Sequence, residues 1–226
     1  MQSSQKKLNP GEILIESEAG ITGGVLQVND AFDLYLVKLP NGNFELRIFM
    51  KLQFFFKDDG VNRWKQSEKE AFLKGWEARV RKIWDGHILK VLTGNKIVIL
   101  KLDFYLQIGG FLLDHWEITV KKTPPGTVFR SFVRPGMKDV TLTANDNNVT
   151  IRSVRNVGNF NQYTSTHEFG HMIGLDDEYG PLFGGVAGQH NNDYDSIMNI
   201  GTQVRNRHIG QLSQWLNKVL QKHGIR

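Results

Sequence analysis

A chain of 226 residues, 40% of them hydrophobic, is long enough to bury a core as one domain and needs none of the staples of a mini-protein. The net charge of +5 comes from positive residues spread along the chain, with no zinc-finger spacing, RNA-binding aromatic motif or basic helix, so no nucleic-acid partner is expected. Cysteine is absent, which excludes disulfides and leaves any metal to nitrogen and oxygen ligands.

Residues 1–10 are polar and lack the apolar core of a signal peptide, so the expected location is the cytoplasm or export by a specialised secretion machine. From residue 12 to 56 the pattern is β-rich. Strands are predicted at 12–16, 22–28, 32–39 and 44–56, separated by Gly, Asn-Asp and Pro-Asn-Gly turn signals. Residues 1–40 read as a β-rich extension of a single domain spanning 1–226. Ser67 with Glu70 three residues on predicts a capping box. Behind it Phe72, Leu73, Trp76, Val80, Ile83 and Trp84 recur at helical spacing, so a long amphipathic helix with a core-facing stripe is expected up to Asp85.

The apolar stretch 96–113 is interrupted by Lys101, Asp103, Gln107 and paired glycines, which suits a buried strand and not a membrane span of about 20 residues. Strands are predicted at 96–108, 114–122, 128–133, 140–143 and 148–153, with Thr-Pro-Pro-Gly and Arg-Pro-Gly turns between them. A second helix carries His167, and a last helix covers 211–222. This order predicts an α+β domain, a twisted mixed sheet with the long helix packed on it.

The run His167-Glu168-Phe169-Gly170-His171 carries the chemistry. Two histidines four apart on a helix lie one turn above the other and can aim both imidazoles at one ion, with Glu168 beside it. By composition alone the pentapeptide would arise by chance in roughly 1% of such chains, which is suggestive and no more. Gly174 and Asp177 extend it to HExxHxxGxxD and lower the chance by a further factor of roughly 170, so coincidence becomes a poor explanation. A glycine can take the positive φ that stops the helix and turns the chain back toward the ion. Asp177 is then the expected third ligand, with its neighbours Asp176 and Glu178 as alternatives.

This pattern resembles the zinc motif of the metzincin clan of metalloproteases, whose third ligand is usually histidine and is aspartate in a minority such as the snapalysin-like bacterial proteases. The resemblance covers residues 164–201. It implies a metzincin-like fold with an active-site helix, a methionine turn and a C-terminal helix. Ser196-Ile197-Met198-Asn199 is similar to that methionine turn, in which the thioether of Met198 would form an apolar floor under the imidazoles. Many clan members place a tyrosine two residues after the methionine, where this chain has Ile200. The combined motifs also resemble metallopeptidase toxin or effector domains, which would imply an inhibitor or immunity-type partner.

The expected activity is a zinc-dependent endopeptidase acting on protein or peptide, with Zn2+ held by His167, His171 and Asp177 and Glu168 as general base to the metal's water. A zinc amidase acting on cell-wall peptide and a non-catalytic, zinc-stabilised binding module are the alternatives. A purely structural zinc is disfavoured, since such sites are usually closed and rich in cysteine. His208 is a candidate for stabilising the tetrahedral intermediate, and Tyr179 or Tyr194 could replace the missing tyrosine. Arg205 and Arg207 are expected to contact the acidic loop or a substrate carboxylate. His190, in the Gly-rich loop 180–192, is a candidate fourth ligand, while His87, His115 and His223 have no partner in the motif.

Overall fold

The computed structural model describes residues 8–111, 115–124, 129–179 and 189–226. The starts of two predicted strands, Asp114 and Val128, most of the Gly-rich loop and part of the Thr-Pro-Pro-Gly turn lie outside these residues. The fold is α+β: a curled, mixed eight-stranded sheet, a separate two-stranded hairpin, and three helices among the described residues.

The sheet is organised around β3 (Phe44–Lys57), 14 residues long. One of its edges carries β2 (Val28–Lys38), antiparallel, along its first half and β6 (Trp116–Lys121), parallel, along its second. The other edge pairs from Phe44 to Phe54 with β5 (Ile97–Ile108), parallel. Sharing one edge between two strands curls the sheet, and the indole of Trp116 pins the junction by donating to the Ala31 carbonyl at 2.9 Å. Beyond β2 lies β1 (Ile13–Gly23); beyond β6 lie β8 (Asp139–Thr143) and the short antiparallel edge strand β7 (Phe132–Arg134).

Nine of the 14 residues of β3 are buried, as suits a strand paired on both edges and covered by other elements. The long helix α1 (Gln66–Trp84) supplies the covering stripe, burying Phe72, Trp76, Val80 and Trp84 as its spacing predicts. Its start differs from the prediction. Glu68, not Glu70, accepts the amide of the N-cap residue Lys65, at 2.8 Å, and Glu70 binds the Gln66 side chain instead.

Two further predictions need correction. The segment 22–28 is not a strand: β1 runs unbroken to Gly23, absorbing irregular pairing around Glu18 and Ile21 as register shifts, and the chain then turns at 24–27 into β2. Two short strands escaped the pattern, β4 (Ile88–Val91) beside β5 and β10 (Gly158–Gln162), which pairs with β9 (Thr150–Val154). From that hairpin the chain enters α2 (Thr164–Met172), and α3 (Asn206–Lys222) closes the fold. No helix among the described residues is long and apolar enough to cross a membrane.

Candidate metal centre

Helix α2 is held in place by aromatic packing. Phe169 points into the core against Trp76, Trp84 and Phe104, with ring centroids 5.5 to 6.4 Å apart, and the Trp84 indole donates to the Thr166 carbonyl at 3.1 Å. The opposite side of the same turn presents His167 and His171, whose rings stand edge to face at 4.9 Å. Between them Gly170 has no room for a side chain, because a Cβ there would overlap the sulfur of the fully buried Met198. Sequence reading missed Gly170. The available signal was a glycine mid-helix, which costs roughly 0.5–1 kcal/mol against alanine and so needs a reason to be there.

The helix ends in a Schellman motif: the Leu175 amide reaches back to the Gly170 carbonyl at 3.0 Å, the Gly174 amide reaches His171 at 2.9 Å, and Gly174 takes φ +92°. This reverses the chain and brings Asp177 to the imidazoles. Its Oδ1 lies 3.0 Å from His167 Nε2 and 3.2 Å from His171 Nε2. Both histidines are fixed from behind, since Nδ1 of His167 lies 2.8 Å from the Ile197 carbonyl and Nδ1 of His171 lies 2.8 Å from the Leu175 carbonyl. A carbonyl can only accept, so each Nδ1 carries a proton, and each Nε2 is left facing Asp177, a hydrogen-bond donor when the ring is protonated and a metal ligand when it is not. The three side chains form a group able to hold a metal ion.

Glu168 is 6% exposed, and its Oε2 has no hydrogen-bond partner. Burial pushes its carboxyl upward; the two imidazoles oppose this, the Asp146 and Asp177 carboxylates add to it, and the outcome is a raised proton affinity. For Asp177 burial also raises, but the bonds to His167 and His171 prevail and hold it well below the usual carboxylate range. His171 is pulled down by burial and pushed up more strongly by Asp177 and Glu168.

The other candidate residues fall into place around this group. Asp176 is exposed and accepts the Asp177 amide at 2.8 Å. Glu178 faces away, toward the Arg207 guanidinium at 2.6 and 2.7 Å, the Ser196 hydroxyl and His208 Nε2 at 3.1 Å; burial raises its carboxyl, and these partners bring it well below normal. His208 is 2% exposed with both nitrogens engaged, Nδ1 accepting the Arg205 amide at 3.0 Å, so it braces the Glu178 loop. Arg205 and Arg207 both bind Asp193, and Arg207 also binds Glu178. Tyr179 stacks parallel to His167 at 6.0 Å, bonds Asp177, and accepts from Arg130 at 3.0 Å. Tyr194 packs on Phe160, and neither it nor His190 belongs to the metal-holding group.

A second group of the same residue types, Asp30, Asp33 and His115, is assembled where β2 begins and β6 is about to begin. There the His115 ring is reversed. Its Nδ1 accepts the Lys51 amide at 2.9 Å, so Nε2 carries the proton and donates toward Asp33 at 3.3 Å.

No protein-family model matches the sequence, and comparison with curated proteins gives no match.

Proposed function

We propose that this chain is a zinc metallopeptidase of the metzincin-like type, in which His167, His171 and Asp177 hold the metal and Glu168 handles the proton. One observation carries the reading: two imidazoles pinned through Nδ1 aim their Nε2 atoms at a single carboxylate oxygen. In the neutral rings those Nε2 atoms carry lone pairs that, together with the carboxylate, converge on one point and suit a cation, and a nitrogen and oxygen donor set without sulfur suits zinc. The unpartnered, buried Oε2 of Glu168 is the further polar atom such a centre would employ.

Bound there, zinc would supply a Lewis acid and make a water acidic enough to be deprotonated at neutral pH. Glu168 takes the proton that the attacking water loses and returns it to the departing amide nitrogen. The Ile197 and Leu175 carbonyls keep both imidazoles in the ligating tautomer throughout. Met198 serves as the apolar floor of the clan's methionine turn, here wedged against Gly170. With Ile200 at the position of the clan's tyrosine, Tyr179 and Arg130 are the donors beside Asp177.

The test compares zinc-loaded wild type with Glu168→Gln by sequencing new termini in a protein mixture. The expected result is protein cleavage by wild type and a loss of about 10²–10⁴-fold in the variant, with zinc content unchanged. Equal cleavage by both, or release of cell-wall peptides without protein cleavage, would overturn it.

A further inference from the structure

The turn between β1 and β2 lies directly on the end of the metal-bearing helix. The Leu26 amide donates to the Gly174 carbonyl at 3.1 Å. Gln211, on α3, joins both sides with one amide group: its Nε2 donates to the Ile173 carbonyl at 2.8 Å, and its Oε1 accepts the Gly24 amide. Contact is backbone on backbone. A Cβ on Gly174 would overlap Gly23 and Gly24, a Cβ on Gly24 would overlap the Gly174 carbonyl, and one on Gly23 would press on the Ile173 carbonyl at 3.0 Å.

These contacts satisfy the Ile173 and Gly174 carbonyls, which a helix terminus otherwise leaves without partners. They also fix the orientation of the peptide from which the chain runs, three residues later, to Asp177. The glycine of the zinc motif therefore has two requirements, its own φ of +92° and room for a second turn packed against it. The paired Gly23-Gly24 of a distant hairpin meets the second.

We propose that the Gly23–Gly24 turn and Gln211 form a positioning clamp that holds the Gly174 reversal, so that Asp177 reaches the imidazoles already ordered and metal affinity depends on a hairpin about 150 residues upstream. The proposal rests on the metal-centre reading above. A loop that had to be ordered at the moment of binding would lose that ordering entropy from the affinity, whereas the clamp has it ordered beforehand. The residues at the amino end of the sheet are thus part of the metal centre's support, not an appendage to it.

The experiment measures zinc affinity and dissociation rate at 25 °C, by competition with a chromophoric chelator, for wild type, Gln211→Ala, Gln211→Met, Gly24→Ala, His171→Ala and Leu46→Ala, with circular dichroism and a melt for each. Leu46→Ala truncates the buried core of β3 and reports what a loss of global stability alone does. The clamp predicts about tenfold or greater weakening and faster zinc release in both Gln211 variants and in Gly24→Ala, with the folded spectrum kept. The methionine variant, which keeps the bulk but not the hydrogen bonds, should behave like alanine. Leu46→Ala should melt earlier and bind zinc as wild type does.

Wild-type affinity in the folded Gln211 variants, alongside lost binding in His171→Ala, would overturn the clamp and leave the metal centre standing. Equal weakening in Leu46→Ala would reduce the effect to global stability and overturn it too. No zinc binding by wild type would overturn the metal centre and the clamp with it. Should Gly24→Ala fail to fold, the Gln211 pair decides.

Discussion

Among the described residues histidine and aspartate gather twice, once at His167, His171 and Asp177 and once at Asp30, Asp33 and His115, and the two groups differ in the backbone group that backs Nδ1 of the ring. At the first, carbonyl oxygens behind the rings hold protons on Nδ1 and leave both Nε2 atoms, facing a carboxylate, able to ligate once deprotonated. At the second, a backbone amide behind the ring takes the lone pair, and the proton on Nε2 faces the carboxylates. Composition and spacing of donors are therefore insufficient. The group behind the ring decides between a ligand and a hydrogen-bond donor, because a carbonyl and an amide demand opposite tautomers.

The largest effect expected from this contrast is on zinc itself. His171→Ala should abolish stoichiometric zinc binding, measured by metal analysis after dialysis, while His115→Ala retains one zinc per chain. Loss of zinc in the His115 variant with a folded spectrum would break the comparison. Next, Asp177→Asn should weaken zinc by more than the roughly 10–100-fold that an outer partner costs, and Asp176→Asn should leave it within a few-fold of wild type. A smaller effect is reserved for the second group. His115→Ala strands the Lys51 amide, while Asp33 keeps the Gly20 amide, so denaturant unfolding should show a loss of about 1–3 kcal/mol with zinc affinity intact.

The smallest effect is a proton count. His171 has its pKa raised above the ordinary 6.5, so in the metal-free protein it is partly protonated at neutral pH and must lose that proton to ligate. Affinity should therefore fall as pH is lowered through the neutral range, beginning above 6.5. Calorimetry in buffers of different ionisation enthalpy should show net proton release on zinc binding at pH 7. Binding with no proton release would contradict the raised pKa.

Much of this was legible in the sequence, and for identifiable reasons. Helix α1 was visible because its tryptophans and Val80 recur at helical period on one face, and β5 because it is a long apolar run ended by paired glycines. Strand β10, Gly-Asn-Phe-Asn-Gln, was not, since only its pairing with β9 makes it a strand. The start of α3 was placed five residues late because its first turn, Asn-Arg-His, is polar, and the apolar period begins only at Ile209. At the metal centre the motif spacing pointed to His167, Glu168, His171, Gly174 and Asp177, which lie together in the fold. What no spacing could reveal was the company those residues keep: Met198 against Gly170, Gly174 against Gly23 and Gly24, and the amide behind His115. Each is a contact between segments far apart in the chain, set by how the curled sheet brings its ends together.

The most direct test of the central claim is anomalous diffraction at the zinc edge from crystals grown with equimolar zinc. One strong peak is expected, coordinated by Nε2 of His167, Nε2 of His171 and a carboxylate oxygen of Asp177 at about 2.0–2.2 Å. A peak among Asp30, Asp33 and His115, or coordination through Asp176 or Glu178 in place of Asp177, would contradict it.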